Sequence, residues 1–218
     1  MTRTEAGQGR VAAVILAAGA SSRMGEPKQL LPLGGVPLLQ HAVDAACRAR
    51  SINETVVVLG HQAARIGRAL GLDEKGRVKV VENPDWSEGM SSSLRVGVAA
   101  VSADVGAACL LLGDQPGVGT ELIDRVVEAF ASCGRPLARP VYRSSAGAEV
   151  PGHPVVIGRS LWRQLDGLVG DEGLRWLIAS HPDWVHALEM GGEPAADVDE
   201  KADYRSIKAG WDQAEQKG

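Results

Sequence analysis

Short apolar runs and helical patterns alternate up to residue 132, and this alternation limits the possible fold more than any other feature. Apolar runs predict strands at 11–17, 55–60, 78–82 and 107–112, and amphipathic stretches predict helices near 37–50, 62–70, 90–101 and 120–132. Strands separated by helices pair in parallel, because each helical crossover returns the chain to the same end of the sheet. We therefore predict an α/β fold, a three-layer α/β/α sandwich with a mostly parallel sheet.

The second half of the chain follows a looser pattern. After residue 134, prolines separate short extended pieces, and we predict short helices near 159–165 and 171–180, a strand near 184–188 and a polar helix after Asp203. This half is expected to extend the same domain and to build the far wall of a cleft. We predict a flexible N-terminal segment over residues 1–10 and one domain over 11–218, an ordinary size for a single domain.

Composition excludes several classes of protein. The net charge of −4 argues against a nucleic-acid binder, whose affinity would come from a basic surface. The sequence contains no apolar run near the roughly twenty residues that span a bilayer, and no signal peptide is recognisable. The three cysteines are far apart and lack zinc-site spacing, which favours reduced thiols. We expect a cytoplasmic protein with neither a nucleic-acid nor a membrane partner.

The loop after the first predicted strand combines small and cationic residues. It contains Gly19, Ser21, Ser22, Arg23, Gly25 and Lys28. Small residues let several backbone N–H groups point at one place, and two cations add full charge, which suits a polyphosphate. The spacing matches neither a P-loop nor the dinucleotide fingerprint. From this loop alone, an ordinary strand-to-helix turn explains the residues equally well.

Acidic residues are expected at the same edge of the sheet. Asp114 directly follows the strand predicted at 107–112, and ligands of open α/β sheets bind at the carboxyl ends of strands. Although aspartate is also a common turn residue, a carboxylate beside a phosphate-binding loop suits Mg²⁺. Asp197 and Asp199, two positions apart on an extended segment, would face the same side, and we expect one of them to be a second metal ligand. Asp203 fits a helix start better.

Several motifs, in one order, resemble those of MobA-like nucleotidyltransferases. The matching stretches are Leu-Ala-Ala-Gly-Ala-Ser-Ser-Arg-Met-Gly-Glu-Pro-Lys at 16–28, Leu-Pro-Leu-Gly-Gly-Val-Pro-Leu at 31–38, Gly-Asp-Gln-Pro at 113–116 and Asp-Val-Asp-Glu-Lys-Ala-Asp-Tyr at 197–204. Segments 83–95, 152–157 and 170–173 look like the subgroup that contains molybdenum cofactor cytidylyltransferase. The sequence departs from the family at Glu200 and Lys201, where Thr-Pro is usual.

The resemblance implies a Rossmann-like nucleotidyltransferase sheet, a Mg²⁺ cofactor and transfer of a nucleotidyl group with release of pyrophosphate. Arg23 and Lys28 would hold the β- and γ-phosphates, and Asp114 with Asp199 or Asp197 would hold the metal. The other residues expected to contact the nucleotide or the acceptor are Leu16, Ala17, Ala18, Gly19, Ser21, Ser22, Gly25, Ser91, Ser92, Gly113 and His153.

Ala18 bears on the identity of the nucleotide. Guanylyl-transferring relatives look like Leu-Ala-Gly-Gly at this point, whereas cytidylyl-transferring relatives resemble the Leu-Ala-Ala-Gly found here. The extra methyl group would crowd a purine, although one methyl group supports only ~1–3 kcal/mol of discrimination. The resemblance thus favours CTP as the donor, the phosphate of molybdopterin as the acceptor, and a molybdenum hydroxylase as the protein that receives the product.

Other interpretations remain open at this point. The acceptor could instead be a sugar phosphate or methylerythritol phosphate, or the protein could be a non-catalytic chaperone that delivers the cofactor to a molybdenum hydroxylase. An NAD(P)-dependent reductase is a further alternative, weakened by the missing dinucleotide fingerprint. Ser91 or Ser92 could serve as a helix cap rather than contact the nucleotide, and His153 could pack a loop rather than hold the acceptor.

Overall fold

The fold was described from a computed structural model that covers residues 9–72, 76, 78–144 and 147–215, without the side chains of 214 and 215. Ten strands are described: β1 (Arg10–Ala17), β2 (Pro32–Leu33), β3 (Val36–Pro37), β4 (Glu54–Leu59), β5 (Val78–Glu82), β6 (Val105–Leu112), β7 (Leu137–Arg143), β8 (Glu149–Pro151), β9 (Val155–Gly158) and β10 (Val185–Met190). The α-helices are α1 (Leu38–Arg48), α2 (Ala63–Leu70), α3 (Met90–Ala99), α4 (Thr120–Cys133), α5 (Arg175–Ser180) and α6 (Lys201–Glu215).

A single eight-stranded sheet organises the molecule. Its order is β10-β7-β9-β6-β1-β4-β5, with β8 paired to the outer part of β7. The strands β6, β1, β4 and β5 run parallel, as do β7 and β10, whereas β9 is antiparallel to both β6 and β7, and β8 is antiparallel to β7. The central strand β1 is buried along nearly its whole length, as its apolar run predicts. The mostly parallel sheet of the predicted α/β fold is confirmed.

Helices cover both faces of the sheet. One buried cluster joins the sheet to α1, α2 and α4. A second cluster on the opposite face joins it to α3 and to the segment around Leu161 and Leu165. The two clusters lie between the sheet and the helices on each of its faces, so the predicted α/β/α sandwich is also confirmed.

The second half contributes more to the sheet than the sequence predicts. It supplies β7, β8, β9 and β10, so the expected cleft wall is built partly from strands of the main sheet. The helix predicted at 159–165 is a 3₁₀ helix, Arg159–Gly167, and the helix predicted at 171–180 is a 3₁₀ turn, Gly170–Glu172, followed by α5. Gly173 separates these two pieces with φ at +52°, a conformation that an α-helix does not contain.

Strand β1 begins inside the N-terminal segment that was predicted to be flexible. Residues 1–8 of the predicted flexible segment lie outside the described residues, and Arg10 is already the first residue of β1. Within the described ranges, no helix combines the length and the apolar character that are needed to cross a bilayer.

Gly97 allows α3 to approach the sheet closely. A Cβ atom at this position would lie 2.5 Å from Val14 Cγ1 and 3.0 Å from Val58 Cγ2, both on strands of the sheet. Gly67 of α2 offers a contrast, since a Cβ atom there would meet only Leu59 Cδ1 at an ordinary distance of 3.8 Å. The packing of helix against sheet therefore leaves no room for a methyl group at Gly97, whereas it leaves room for one at Gly67.

We expect Gly97→Ala to lower the free energy of unfolding by ~1–3 kcal/mol, because the added methyl group overpacks the core. The matched control Gly67→Ala should raise the free energy of unfolding by up to ~1 kcal/mol, since alanine favours the helix. Chemical denaturation of the two variants measures both changes. Equal shifts in the two variants would contradict the close-packing explanation.

Candidate active site

The carboxyl ends of β1 and β6 meet at the edge where the sequence predicts a ligand site. The Gly113 N–H donates to Leu16 O at 2.9 Å, which continues the strand pairing past the end of β6. A Cβ atom on Gly113 would lie 2.9 Å from both Ala17 Cβ and Leu39 Cδ1. Glycine is required here by packing, and the turn that it permits brings Asp114 to the edge of the sheet.

Lys28 connects two carboxylates at this edge. Its Nζ donates to Asp114 Oδ2 at 2.6 Å and to Asp199 Oδ1 at 3.0 Å, and its side chain is only 15% exposed. Burial acts to lower the pKa of Lys28, but the charges and hydrogen bonds of Asp114 and then Asp199 outweigh it, so the net pKa is raised. Lys28 is therefore a fixed and fully charged cation at neutral pH.

The segment that carries Asp199 is held in place on both sides. The Val198 N–H donates to Asp114 O at 3.0 Å, and the Val198 side chain is fully buried. Asp203 Oδ2 accepts the backbone N–H groups of Asp199 and Glu200 at 3.1 and 2.7 Å, as expected for an acidic residue in the first turn of a helix. The expected role of Asp203 as a helix-start residue is confirmed, and α6 begins there despite the departure from Thr-Pro.

Asp197 and Asp199 have different partners. Asp197 Oδ1 accepts a hydrogen bond from Gln115 Nε2 at 2.7 Å, whereas Asp199 faces Lys28. Burial and then the nearby charge of Asp114 raise the pKa of Asp197, against the opposing effect of Gln115. Asp197 is thus hydrogen-bonded to the Gln115 amide, whereas Asp199 and Asp114 both accept hydrogen bonds from Lys28.

The donor set at Asp114 fits a hard divalent cation. Asp114 Oδ1 is buried and has no hydrogen-bond partner among the described residues. No group of three or more His, Cys, Asp or Glu side chains is placed to share an ion in that part of the chain. Two carboxylates are nevertheless enough for Mg²⁺, which retains waters and takes further ligands from substrate phosphates.

Two cavities meet at Asp114. The smaller cavity has a volume of about 180 Å³ and lies between the end of β1 and the start of α3. The larger has a volume of about 1040 Å³ and extends over β7, β10 and α5. Both cavities are lined by Met90, Leu112, Asp114 and Asp171.

The predicted loop residues divide into two groups. Lining the smaller cavity are Leu16, Ala17, Ala18, Gly19, Lys28 and Gly113. Ser21, Ser22, Arg23 and Gly25 do not line it, and the Arg23 side chain is 69% exposed and 3.9 Å from Glu200 Oε1. Ser21 instead shapes the loop: it has a positive φ of 54°, and its Oγ accepts the Lys28 N–H at 3.1 Å. Of the six small and cationic residues of this loop, Gly19 and Lys28 line the smaller cavity, and phosphate contacts of the other four stay predictions.

The serines at the start of α3 differ in whether they line the smaller cavity. Ser91 and Ser92 line neither cavity, and neither caps α3, which begins after Gly89. Ser92 Oγ accepts from Asn83 Nδ2 and donates to Gly89 O, so it is used inside the protein. The residue that lines the smaller cavity is Ser93, because it shares a helical face with Met90, three positions earlier. That spacing could have identified Ser93 from the sequence.

Two further residues at the smaller cavity were not predicted, and His153, predicted to hold the acceptor or to pack a loop, lies at the other cavity. The buried Gln29 donates from Nε2 to Ala17 O and Gly19 O, which fixes the loop; nothing in its sequence context indicates this. Trp86, which its residue type alone would place in the core, is half-buried and lines the smaller cavity, with its ring centroid 5.0 Å from that of His61. His153 lines the larger cavity, not the smaller one.

Comparison with known proteins agrees with this geometry. Residues 13–185 match the model of the MobA-like NTP transferase domain. The chain is 33% identical over 194 residues to the nicotine blue oxidoreductase of Paenarthrobacter nicotinovorans, covering 87% of this chain and 92% of that protein. It is 42% identical over 89 residues to the 2-C-methyl-D-erythritol 4-phosphate cytidylyltransferase of Thermobifida fusca, and this match covers 39% of this chain and 35% of that protein.

A solved structure supports the same assignment. Rv0371c from Mycobacterium tuberculosis H37Rv, whose crystal structure is known, is 32% identical in sequence to this chain. The two structures superimpose over 92% of this chain and 98% of that chain, with a TM-score of 0.79. That protein has also been solved in complex with manganese. On the family match over most of its length, the chain belongs to the MobA-like NTP transferase family.

Proposed function

We propose that this protein transfers CMP from CTP to the phosphate of molybdopterin and releases pyrophosphate. The observation that carries the proposal is the position of Asp114, joined to Lys28 at 2.6 Å, at the boundary of two cavities. A transfer between two substrates needs both of them to reach one point, and this boundary is shared by both cavities. The smaller cavity would take the nucleoside and the larger one the acceptor.

The chemistry joins two anions, so their repulsion is the first barrier. Lys28 offers a fixed ammonium group at the boundary between the cavities. Asp114 and Asp199 would hold Mg²⁺, which when bound supplies positive charge that neutralises the phosphates. The unpartnered Asp114 Oδ1 supports this assignment, as does the relative solved with manganese.

The protein needs no general base for this reaction. An oxygen of the acceptor phosphate forms a bond to the α-phosphorus of CTP, and the bond from that phosphorus to the β-bridging oxygen breaks. The electron pair leaves with pyrophosphate. A phosphomonoester has a second pKa of about 6, so its attacking oxygen is already ionised at neutral pH. Positioning and electrostatic stabilisation are then what the residues at the boundary contribute.

The walls of the smaller cavity support a preference for CTP. Ala18 and Trp86 line it from two sides, and a larger residue at Gly60 would clash with both, since its Cβ would lie 2.5 Å from Trp86 Cβ and 2.7 Å from Ala18 O. Ser93 Oγ accepts from Asn83 Nδ2 at 2.9 Å, so its own proton is available to an acceptor atom of the base. Cytosine presents such acceptors in its ring nitrogen and carbonyl oxygen.

We expect pyrophosphate release by the purified protein with Mg²⁺, CTP and molybdopterin, and Asp114→Ala should reduce turnover by at least about a hundredfold through loss of electrostatic stabilisation. The control Asp104→Ala removes an exposed carboxylate near the other end of β6 and should retain activity. If pyrophosphate is released only with a sugar phosphate or methylerythritol phosphate, that compound and not molybdopterin is the acceptor. No release with any nucleotide would contradict the proposal.

We expect Ala18→Gly to shift the preference from CTP towards GTP by about tenfold in kcat/KM, because it removes the methyl group from the cavity wall. Ala20→Gly is the matched control. Ala20 lies in the same loop but does not line the cavity, so this variant should keep the nucleotide preference of the wild type. Steady-state kinetics with both nucleotides measure the ratio. An unchanged ratio in Ala18→Gly would remove this residue as a determinant of base choice.

We expect Asp114→Asn and Asp199→Asn each to weaken Mn²⁺ binding by about tenfold or more, since Mg²⁺ and Mn²⁺ sites depend on few carboxylates. Asp197→Asn should have a much smaller effect, because Asp197 Oδ1 is already engaged by Gln115. Electron paramagnetic resonance of free Mn²⁺ in the presence of CTP gives the affinities. A larger loss in Asp197→Asn than in Asp199→Asn would reverse the assignment of the two residues.

A second candidate function is reduction of an organic dye by a nicotinamide cofactor. It is favoured by the relative named nicotine blue oxidoreductase, which covers 87% of this chain at 33% identity. Its test is the oxidation of NADH or NADPH at 340 nm in the presence of a quinoid dye. Oxidation of the cofactor in a preparation that releases no pyrophosphate would select this function over nucleotidyl transfer.

A further inference from the structure

The larger cavity is acidic for a site that would take a phosphorylated acceptor. Its described lining includes the carboxylates of Asp114, Glu149, Asp171, Glu172, Asp197 and Asp199. The arginines of that lining are Arg139 and Arg175. Because phosphate is repelled by carboxylates, an acceptor phosphate needs a cation within this cavity. Arg175 is exposed on α5, which leaves Arg139 as the arginine drawn into the sheet.

Arg139 is held on β7 without a partner. It faces the cavity on the same side of the strand as Val141, and its register partner on β10 is the small residue Ala187. Its Nε is buried and makes no hydrogen bond to the described residues, and the guanidinium forms no ion pair with them. Burial acts to lower the pKa of Arg139, with an opposing effect from Glu149, yet a guanidinium stays charged in proteins.

An unpartnered guanidinium in this position is costly unless a ligand satisfies it. A buried donor without an acceptor is destabilising, because it has lost its hydrogen bond to water and gained none from the protein. Arginine presents five N–H donors in a planar fork that matches the oxygen spacing of phosphate. Arg143, four residues later on β7, offers a contrast, because it is exposed and pairs with Glu189 at 3.4 Å.

His153 lines the same cavity as Arg139 and Asp114. The Gly152 N–H donates to Pro140 O at 3.0 Å, which seats this loop on β7 directly after Arg139. Burial lowers the pKa of His153, while the charge of Asp114 raises it and that of Arg139 lowers it, so both groups are within electrostatic reach of the ring. An imidazole carries at least one N–H donor in either protonation state.

We propose that Arg139, together with His153, binds the phosphate group of the acceptor and so determines that the acceptor is a phosphomonoester. The guanidinium fork holds two phosphate oxygens, and the histidine N–H donates to a phosphate oxygen on the side of Asp114. The inference rests on the proposed nucleotidyl transfer for the role of the acceptor, but the binding of phosphate by Arg139 is measurable without turnover.

The test is calorimetric titration of phenyl phosphate into protein saturated with Mg²⁺ and α,β-methylene CTP, which occupies the donor site without reacting. Arg139→Gln should weaken phenyl phosphate binding by about tenfold or more, and Arg139→Lys by less, because lysine keeps the charge but not the fork. Arg143→Gln is the matched control on the same strand and should bind as the wild type does. The affinity for α,β-methylene CTP should be unchanged in all three variants.

Two comparisons separate phosphate recognition from a general effect of charge. Benzoate, which offers a carboxylate on the same ring, should bind more weakly than phenyl phosphate to the wild type, and the difference should shrink in Arg139→Gln. Equal binding of the two probes by the wild type would overturn the assignment to phosphate. Unaltered phenyl phosphate binding in Arg139→Gln, or an equal loss in Arg143→Gln, would overturn the assignment to Arg139.

Steady-state kinetics distinguish this inference from the function on which it rests. Arg139→Gln should raise the KM for the acceptor about tenfold or more and leave the KM for CTP unchanged. Pyrophosphate release with an unchanged acceptor KM in this variant would refute the phosphate subsite while nucleotidyl transfer stands. Phenyl phosphate binding that depends on Arg139 in a protein that releases no pyrophosphate would refute the transfer and support the subsite.

Discussion

The bridge from Lys28 to Asp114 and Asp199 is the interaction on which the rest of the site depends. It joins the loop after β1, the turn after β6 and the segment before α6, which are three separate parts of the chain. The desolvation of a buried ammonium group is unfavourable, and two carboxylates at 2.6 and 3.0 Å offset it. Asp114 lines both cavities, Lys28 the smaller one and Asp199 the larger one, so the contact that stabilises the edge of the sheet also concentrates charge where two substrates would meet.

The scaffold around this bridge is rigid for identifiable reasons. Gln29 ties the loop back to the end of β1, and Gly113 lets the end of β6 pack against it. On the far side, Val198 is buried in a small cluster with Met24 and Leu38, against which α6 packs through Tyr204 and Trp211. Functional side chains held by packed elements keep their geometry better than those on free loops.

The sequence predicts the parallel half of the fold well and the site only in part. Apolar runs and helical periodicity locate β1, β4, β5 and β6 within two residues; β1, β4 and β6 are buried along most of their length, and β5 is a partly exposed edge strand. Short strands such as β8 and β9 lack such a signal, since their place depends on pairing with β7. Lys28, Asp114 and Ala18 could be named as candidate site residues because they come after predicted strands. The contacts of Ser91, Ser92 and Arg23 with a ligand stay predictions: the two serines line neither cavity, because the direction of a side chain depends on helical phase, and the exposed Arg23 lies near Glu200.

The separation of Lys28 and Asp199 along the chain, 171 residues, has a consequence for synthesis. Domains fold as the chain leaves the ribosome, with N-terminal parts first. Most of the sheet can therefore assemble while the segment bearing Asp199 is still inside the exit tunnel, and Lys28 then has only one of its two carboxylates. The bridge stays incomplete until the segment bearing Asp199 has left the tunnel, so the candidate active site is assembled only after the sheet that carries it.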